Sequence, residues 1–314
     1  MRRRGREASP CLAVSPFEPK RMSDCFQATI AQLWVYPIKS CAGVSLTQAE
    51  LTDDGLLFDR SWMVVDAHGD FVSQRECPRM ALIQPTLTST HQLVVRVSGM
   101  PDLSVEGASL ALPLRVRVWD DEVAAHDMGE AAADWFTQCL NPEGDPSLGR
   151  LRLVRFDPQG RRVSERRWTG AREATTQFAD GFAVLVTSEA SLDGLNTRLT
   201  RAGQAAVDQR RFRPNIVLAG VAAHDEDRVG ALTVDTGAGG ATLEAVKPCG
   251  RCPIPNIDPD TALASPAVGD TLQSYRVDPQ QKGAITFGMN AVVRAGAGEV
   301  LRVGQGVQGD WRFD

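Results

Sequence analysis

Apolar and polar positions along the chain change rhythm near residue 28. Before it, residues 1–27 show no apolar period, begin with three arginines and contain Pro10, Pro16 and Pro19. This stretch reads as a disordered leader with Met22 as the expected start, because a secretory signal needs an apolar stretch of roughly 7–15 residues and none is present. From Ala28 onward the pattern becomes one of short β-like runs. Residues 30–36 (IAQLWVY) alternate and stop at Pro37, and residues 61–65, a turn at 66–70 and residues 71–73 predict a hairpin. Further strands are predicted over 93–97, 110–118 and 151–156, and later over 215–219, 232–235, 242–246, 285–287 and 300–303. Two helices stand out. One covers 129–140, with Ala133, Phe136, Cys139 and Leu140 on one side; the other covers 188–199, with a serine-rich start and a Leu192, Leu195, Leu199 stripe.

Many short strands and few helices predict a mainly β fold with helices, of α+β type. Between residues 157 and 177 the chain is polar and nearly free of aliphatics, which predicts a linker or flap. It would separate a β-rich region at 28–156 from a second at 178–307, leaving 308–314 as a tail. A length of 314 residues agrees with two domains on a prior of roughly 150 residues each.

Charge narrows the function. With 34 basic and 39 acidic side chains the net charge is −5, which disfavours a partner that is a nucleic acid polymer. Apolar residues at 43% and charged residues at 23% are ordinary for a globular chain. No apolar run approaches the ~20 residues of a membrane span. Seven cysteines are too few, and an odd number, for a disulfide scaffold, so a reducing, cytoplasmic setting is expected. Lys20, Lys39, Lys247 and Lys282 are the four lysines; every other cation is arginine, a bias that coding preference explains in general.

The sharpest chemical feature is Cys249-Gly250-Arg251-Cys252 between Pro248 and Pro253. Four readings are open to a CxxC: half of a zinc site, a redox disulfide, two structural thiols, or a thiolate on a metal whose other ligands come from a cofactor. A zinc site wants a second pair, and none is present in the sequence. A thioredoxin-like motif wants a helix where this one has proline. Lys39-Ser40, Arg60, Arg213 and Arg251 fall beside strand ends, where an ammonium, a hydroxyl and guanidinium forks suit an anion cradle.

The segments 36–43 (YPIKSCAG), Asp59-Arg60, 75–79 (RECPR), 188–192 (SEASL), 212–215 (FRPN) and 249–252 through Asp258 and Asp260 together resemble the molybdenum-cofactor-binding MOSC proteins. They resemble above all the mitochondrial amidoxime-reducing component and its bacterial relatives, in order from about residue 28 to 307. The resemblance implies a MOSC β-barrel domain preceded by a family-specific N-terminal β-rich domain. It implies a molybdenum cofactor, Mo-molybdopterin, with Cys252 as the catalytic thiolate on the metal. It implies cofactor contacts from Lys39, Ser40, Arg60, Arg213, Asn215 and the Gly250-Arg251 segment, with a backbone contact region at Gly181-Phe182. Where the family has Ser or Thr before the arginine this chain has Gly250, so only its backbone acts there. Asp258 is a candidate support for the cysteine loop.

The implied activity is reduction of N-hydroxylated compounds (amidoximes, hydroxylamines and N-hydroxylated bases) in N-reductive detoxification. Some bacterial relatives carry a C-terminal iron–sulfur domain; here no cysteine follows Cys252, and no GxGxxG opens a nucleotide-binding unit. Electrons are therefore expected from a separate donor protein, a reductase with a small redox carrier, and the membrane anchor of the mitochondrial relatives is not expected. The alternative reading is a sulfur carrier in which the cysteine bears a persulfide. Its N-terminal motifs overlap with the reductases, and a chain without a pyridoxal-phosphate domain favours the reductase.

Overall fold

A computed structural model of the chain describes residues 25–90, 92–105, 112–237 and 239–312. Eleven of its strands carry the architecture: β1 (Cys25–Val35), β2 (Trp62–Val65), β3 (Leu112–Val118), β4 (Asp121–Asp127), β5 (Arg152–Phe156), β6 (Val184–Ser188), β7 (Ile216–Ala219), β8 (Val229–Val234), β9 (Ala241–Gly250), β10 (Ala284–Ala295) and β11 (Gly306–Trp311). The fold is mainly β with few helices, and its centre is a closed barrel of seven strands in the order β6, β7, β1, β11, β8, β9, β10, with β10 pairing back onto β6. Closure removes exposed strand edges and encloses one apolar core that includes Ile30, Leu33, Val186, Leu218, Leu243 and Val307.

The barrel takes its strands from both ends of the sequence. Strand β1 lies between β7 and β11, with Thr29 opposite Ala219 on one side and opposite Gly306 on the other. The region expected at 28–156 therefore gives the barrel its first strand before forming layers of its own. Those layers are a four-stranded sheet in the order β2, β5, β4, β3 and a three-stranded meander over Gln84–Leu87, Leu93–Arg96 and Leu103–Val105. Helix α1 (Glu130–Leu140) buries Ala133, Phe136, Cys139 and Leu140, the side predicted for it.

Three expectations need correction at the edges. Residues 308–314 are not a tail through their described part: β11 runs to Trp311 and pairs with β1 and β8. Its sequence, GVQGDW, alternates small and polar residues, which hid a barrel strand. Cys25, Phe26 and Gln27, assigned to the leader, open β1; the rest of the leader, including Met22, lies outside the described residues. Residues 157–177 are folded. Val163 bridges to Thr175, the short helix α2 (Arg166–Thr169) follows, and Arg162 is buried. That guanidinium donates to Asp121 Oδ2 at 2.7 Å and to the backbone oxygens of Gln177, Ala179 and Asp180. One polar side chain thus does the anchoring that aliphatics do elsewhere.

Helix α3 (Glu189–Arg201) starts as its serine-rich cap predicts, with Ser188 Oγ accepting from Ser191 N at 3.1 Å. Both serine hydroxyls also donate to the buried carboxylate of Glu226, at 2.9 and 2.8 Å. Among the described residues no helix is long and apolar enough to cross a membrane.

Candidate functional site

The two halves of the chain meet at an open cleft whose empty space, open solvent included, is about 810 Å³. Lys39, Ser40, Arg60, Gly181, Phe182, Arg213, Asn215, Gly250, Arg251 and Cys252 all line it. Residues far apart in sequence are brought to one wall-to-wall space. Phe71, Ser73, Arg75, Asp180 and Asn290 line it as well.

The floor is built where two segments cross. Lys39 N donates to Trp62 O at 2.8 Å and Arg60 N to Tyr36 O at 2.9 Å, tying residues 36–41 to residues 58–62. Asp59, buried beneath, accepts from Tyr36 N at 2.8 Å through Oδ1 and holds Arg60 Nη1 at 2.5 Å through Oδ2. Ser40, Arg60 and Arg213 have φ of 67°, 49° and 58°, the left-handed region that non-glycine residues rarely occupy. Three such residues at one cleft mark a place where backbone strain is tolerated for the sake of aim.

Arg60 and Arg213 both lie against the Tyr36 ring, their guanidinium carbons 4.3 and 4.2 Å from its centroid. Arg213 is the exceptional cation. Nη1 donates to Cys41 O at 2.7 Å, while Nη2 is buried without a partner. No carboxylate lies within ion-pair distance of it among the described residues. Burial, with Arg60 nearby, pushes the guanidinium down to about 10. Burial also lowers the Lys39 ammonium, and Asp180, 2.5 Å from Nζ, works against that shift.

Asn215 sits at the start of β7 and is almost wholly buried. Its Oδ1 accepts from Leu185 N and Arg60 Nη1, and its Nδ2 donates to Trp34 O. Its side chain is therefore occupied by the barrel, and it acts on the cleft by aiming Arg60.

The cysteine loop leaves the end of β9. Arg251 N donates to Ile285 O at 2.8 Å, and its side chain reaches Phe212 O at 2.9 Å and Cys249 Sγ at 3.0 Å. Arg251 Nε is buried with no partner. The two thiols are thereby distinguished: Cys249 Sγ is held by Arg251, and Cys252 Sγ lines the cleft without a protein hydrogen bond among the described residues. Asp258 supports the loop from behind. Its Oδ2 accepts from Arg211 Nη2 at 2.8 Å while Arg211 Nη1 reaches Pro255 O, and its Oδ1 caps Asp260 and Thr261.

The sequence reading missed the mouth of the cleft. Trp119 stands at the two-residue turn between β3 and β4 with φ 56°. It packs against Phe71 and Arg75 and donates to Asp180, three residues that line the cleft. An aromatic in a turn that favours Asn or Gly was the available signal for Trp119; for Asp180 no signal was present.

Chemically, the cleft offers an unpaired thiol, a set of cations with unsatisfied donors, and almost no balancing carboxylate. Residues 27–143 match the MOSC N-terminal beta barrel domain, and residues 173–308 match the MOSC domain. The chain is 36% identical to mitochondrial amidoxime-reducing component 1 of Mus musculus, over 81% of this chain and 73% of that protein. It is 35% identical to the Homo sapiens component 1, over 81% and 74% of the two chains. Identity with mitochondrial amidoxime reducing component 2 of Rattus norvegicus is 33%, over 92% and 86%.

Proposed function

The chain belongs to the MOSC family, alongside the amidoxime-reducing components, and on that footing we propose that it is a molybdenum-cofactor-dependent reductase of N-hydroxylated compounds. The observation that carries the reading is the unpaired Arg213. Arg213 is half-buried and has no carboxylate within ion-pair distance among the described residues, and a partly desolvated cation without a counter-charge is costly. An anionic, hydrogen-bond-rich group in the cleft balances Arg213 and the four other cations that line it, Lys39, Arg60, Arg75 and Arg251. A phosphorylated pterin is such a group, so the residues fit it.

In this reading Arg213, Arg60 and Lys39 hold the anionic end, with Ser40, Gly181, Phe182 and the Gly250-Arg251 backbone along the ring system. Cys252 supplies the thiolate, a soft ligand suited to a redox metal. When bound, the molybdenum supplies two-electron chemistry that removes one oxygen from the substrate. The protein's own work is positional. Arg251 keeps Cys249 engaged so that one thiol alone is offered, and Asp59 and Asn215 fix the fork of Arg60. The net reaction takes an N-hydroxylated compound, two electrons and two protons to the parent amine or amidine and water. The electrons belong to a separate donor protein in the same proposal. A cytoplasmic setting belongs to it too: Cys41, Cys77, Cys139, Cys249 and Cys252 are thiols, as a reducing compartment keeps them.

Metal analysis with cofactor extraction on the purified protein tests the reading, followed by reduction of benzamidoxime with reduced viologen as donor. Molybdenum near one per chain together with turnover is the expected result. Protein expressed in a cofactor-competent host that carries neither molybdenum nor a pterin overturns it.

A further inference from the structure

Five cations line the cleft (Lys39, Arg60, Arg75, Arg213 and Arg251), and one carboxylate does, Asp180. That carboxylate is half used. Its Oδ1 accepts from Lys39 Nζ at 2.5 Å and from Trp119 Nε1 at 3.3 Å, while Oδ2 makes no protein hydrogen bond among the described residues. The side chain is 68% exposed, so Oδ2 faces solvent at the cleft mouth. Lys39 beside it holds the carboxyl well below the usual carboxylate range.

Beside Asp180 stands a wall of π surface. Trp119 and Phe71 pack edge to face at 5.0 Å, and Trp119 keeps 44% of its surface exposed. The Arg75 guanidinium lies 4.7 Å from the Trp119 ring and 5.7 Å from that of Phe71. A planar, cationic N–C–N group is therefore already accommodated against these rings by the protein itself. Left-handed backbone at a tryptophan costs roughly 1–2 kcal/mol, and here it leaves the ring outside the core, packed on Phe71, Arg75 and Asp180, which line the cleft. Strain with an exposed aromatic as its outcome is a mark of function.

We propose that Trp119, Phe71 and Asp180 form a recognition subsite for the planar amidine frame of aryl amidoximes and their amidine products. This deepens the reductase reading and rests on it. The aryl or amidine plane lies against Trp119 and Phe71, and Asp180 Oδ2 accepts an N–H from the amidine nitrogen. Reduction converts a weakly basic amidoxime into a strongly basic amidine, so the group that leaves is the cation Asp180 attracts best. Simple N-alkyl hydroxylamines have no such plane and gain little from the subsite.

Calorimetric titration of the holoenzyme with benzamidine and with its neutral isostere benzamide tests this directly. Benzamidine is expected to bind at least about tenfold more tightly, the scale of one exposed charge and one cation–π contact. Asp180→Asn is expected to bring that ratio near one. Trp119→Leu, an independent variant, is expected to lower the ratio of kcat/KM for benzamidoxime over that for N-methylhydroxylamine by about tenfold. The proposal is overturned if the wild type does not prefer benzamidine, if Asp180→Asn keeps the preference, or if Trp119→Leu leaves the selectivity unchanged. Failure of the reductase reading shows separately: the protein then holds no molybdenum and reduces neither substrate, while the benzamidine titration still reads the subsite.

Discussion

At the scale of residues, the two cysteines of the loop are chemically alike and structurally different. Cys249 is hydrogen-bonded by Arg251, and Cys252 is not. Cys252→Ser is expected to abolish amidoxime reduction, because a metal ligand is lost, whereas Cys249→Ser keeps an acceptor for Arg251 and most of the activity. Side-by-side assays with metal analysis check this, and the reverse pattern would sink the assignment. Arg213 allows a second test. Arg60 repels it and no carboxylate lies within ion-pair distance of it among the described residues, so Arg213→Gln is expected to leave the melting temperature of cofactor-free protein unchanged or raised. Molybdenum content of the variant falls at least about tenfold, since a desolvated charge pair is lost. A third concerns His224, whose ring nitrogens are both buried without partners. Burial, then Arg276 and Arg198, push its imidazole down from 6.5 to about 4. The unfolded chain then binds the proton first, so this contribution is whole above pH 6.5 and is lost as pH falls toward 4. Glu226 and Asp227, raised by burial, act in the opposite sense. Subtracting the melting curve of His224→Asn, a residue that tolerates the left-handed φ of 66° there, isolates the histidine. A variant whose melting temperature falls as steeply as the wild type's over that window contradicts the assignment.

At the scale of elements, what the sequence displayed depended on which faces were wet. Helix α1 and strands β5 and β7 were legible because their apolar positions fall in clean runs or stripes. Strand β6 was missed because VLVTS is buried throughout and runs straight into α3, so no turn residue separates the two. Strand β4, DEVAAHD, was hidden by its polar solvent face. Only 285–287 of β10 was read, since Gly288 with φ 76° interrupts the strand pattern. Side chains beside strand ends were legible as a cationic set suited to one anion cradle; the packing of the halves that assembles the cradle was not. Arg162 shows the same limit, as nothing in a polar stretch announces that one arginine closes four acceptors. Arg162→Met is expected to cost about 2–4 kcal/mol, the penalty of leaving several carbonyls unpaired, read as a shift in denaturant midpoint. Because the loop it holds leads into Gly181 and Phe182, cofactor retention should fall as well. A midpoint within 0.5 M urea of the wild type, on the order of 1 kcal/mol, would show that the anchor is dispensable.

At the scale of the whole molecule, the two family regions are not two independent bodies. The match to the MOSC domain covers residues 173–308, yet the barrel that contains it needs β1 from residues 25–35. A fragment beginning at residue 173 is expected to be insoluble or molten, and adding the 25–172 fragment in the same cell should restore soluble complex. A fragment that melts cooperatively alone would refute this. The same arrangement bears on how the protein is made. Strand β1 emerges before the other barrel strands, but one of its neighbours, β11, is the last of them to be translated. At about 5–20 residues per second, the interval is on the order of 15–60 s. Throughout it, the segment from Phe26 to Thr29, which pairs with β11, waits for its partner strand on the nascent chain. That segment is where a ribosome-associated holdase would sit, and completion of the final strand is the event that displaces it.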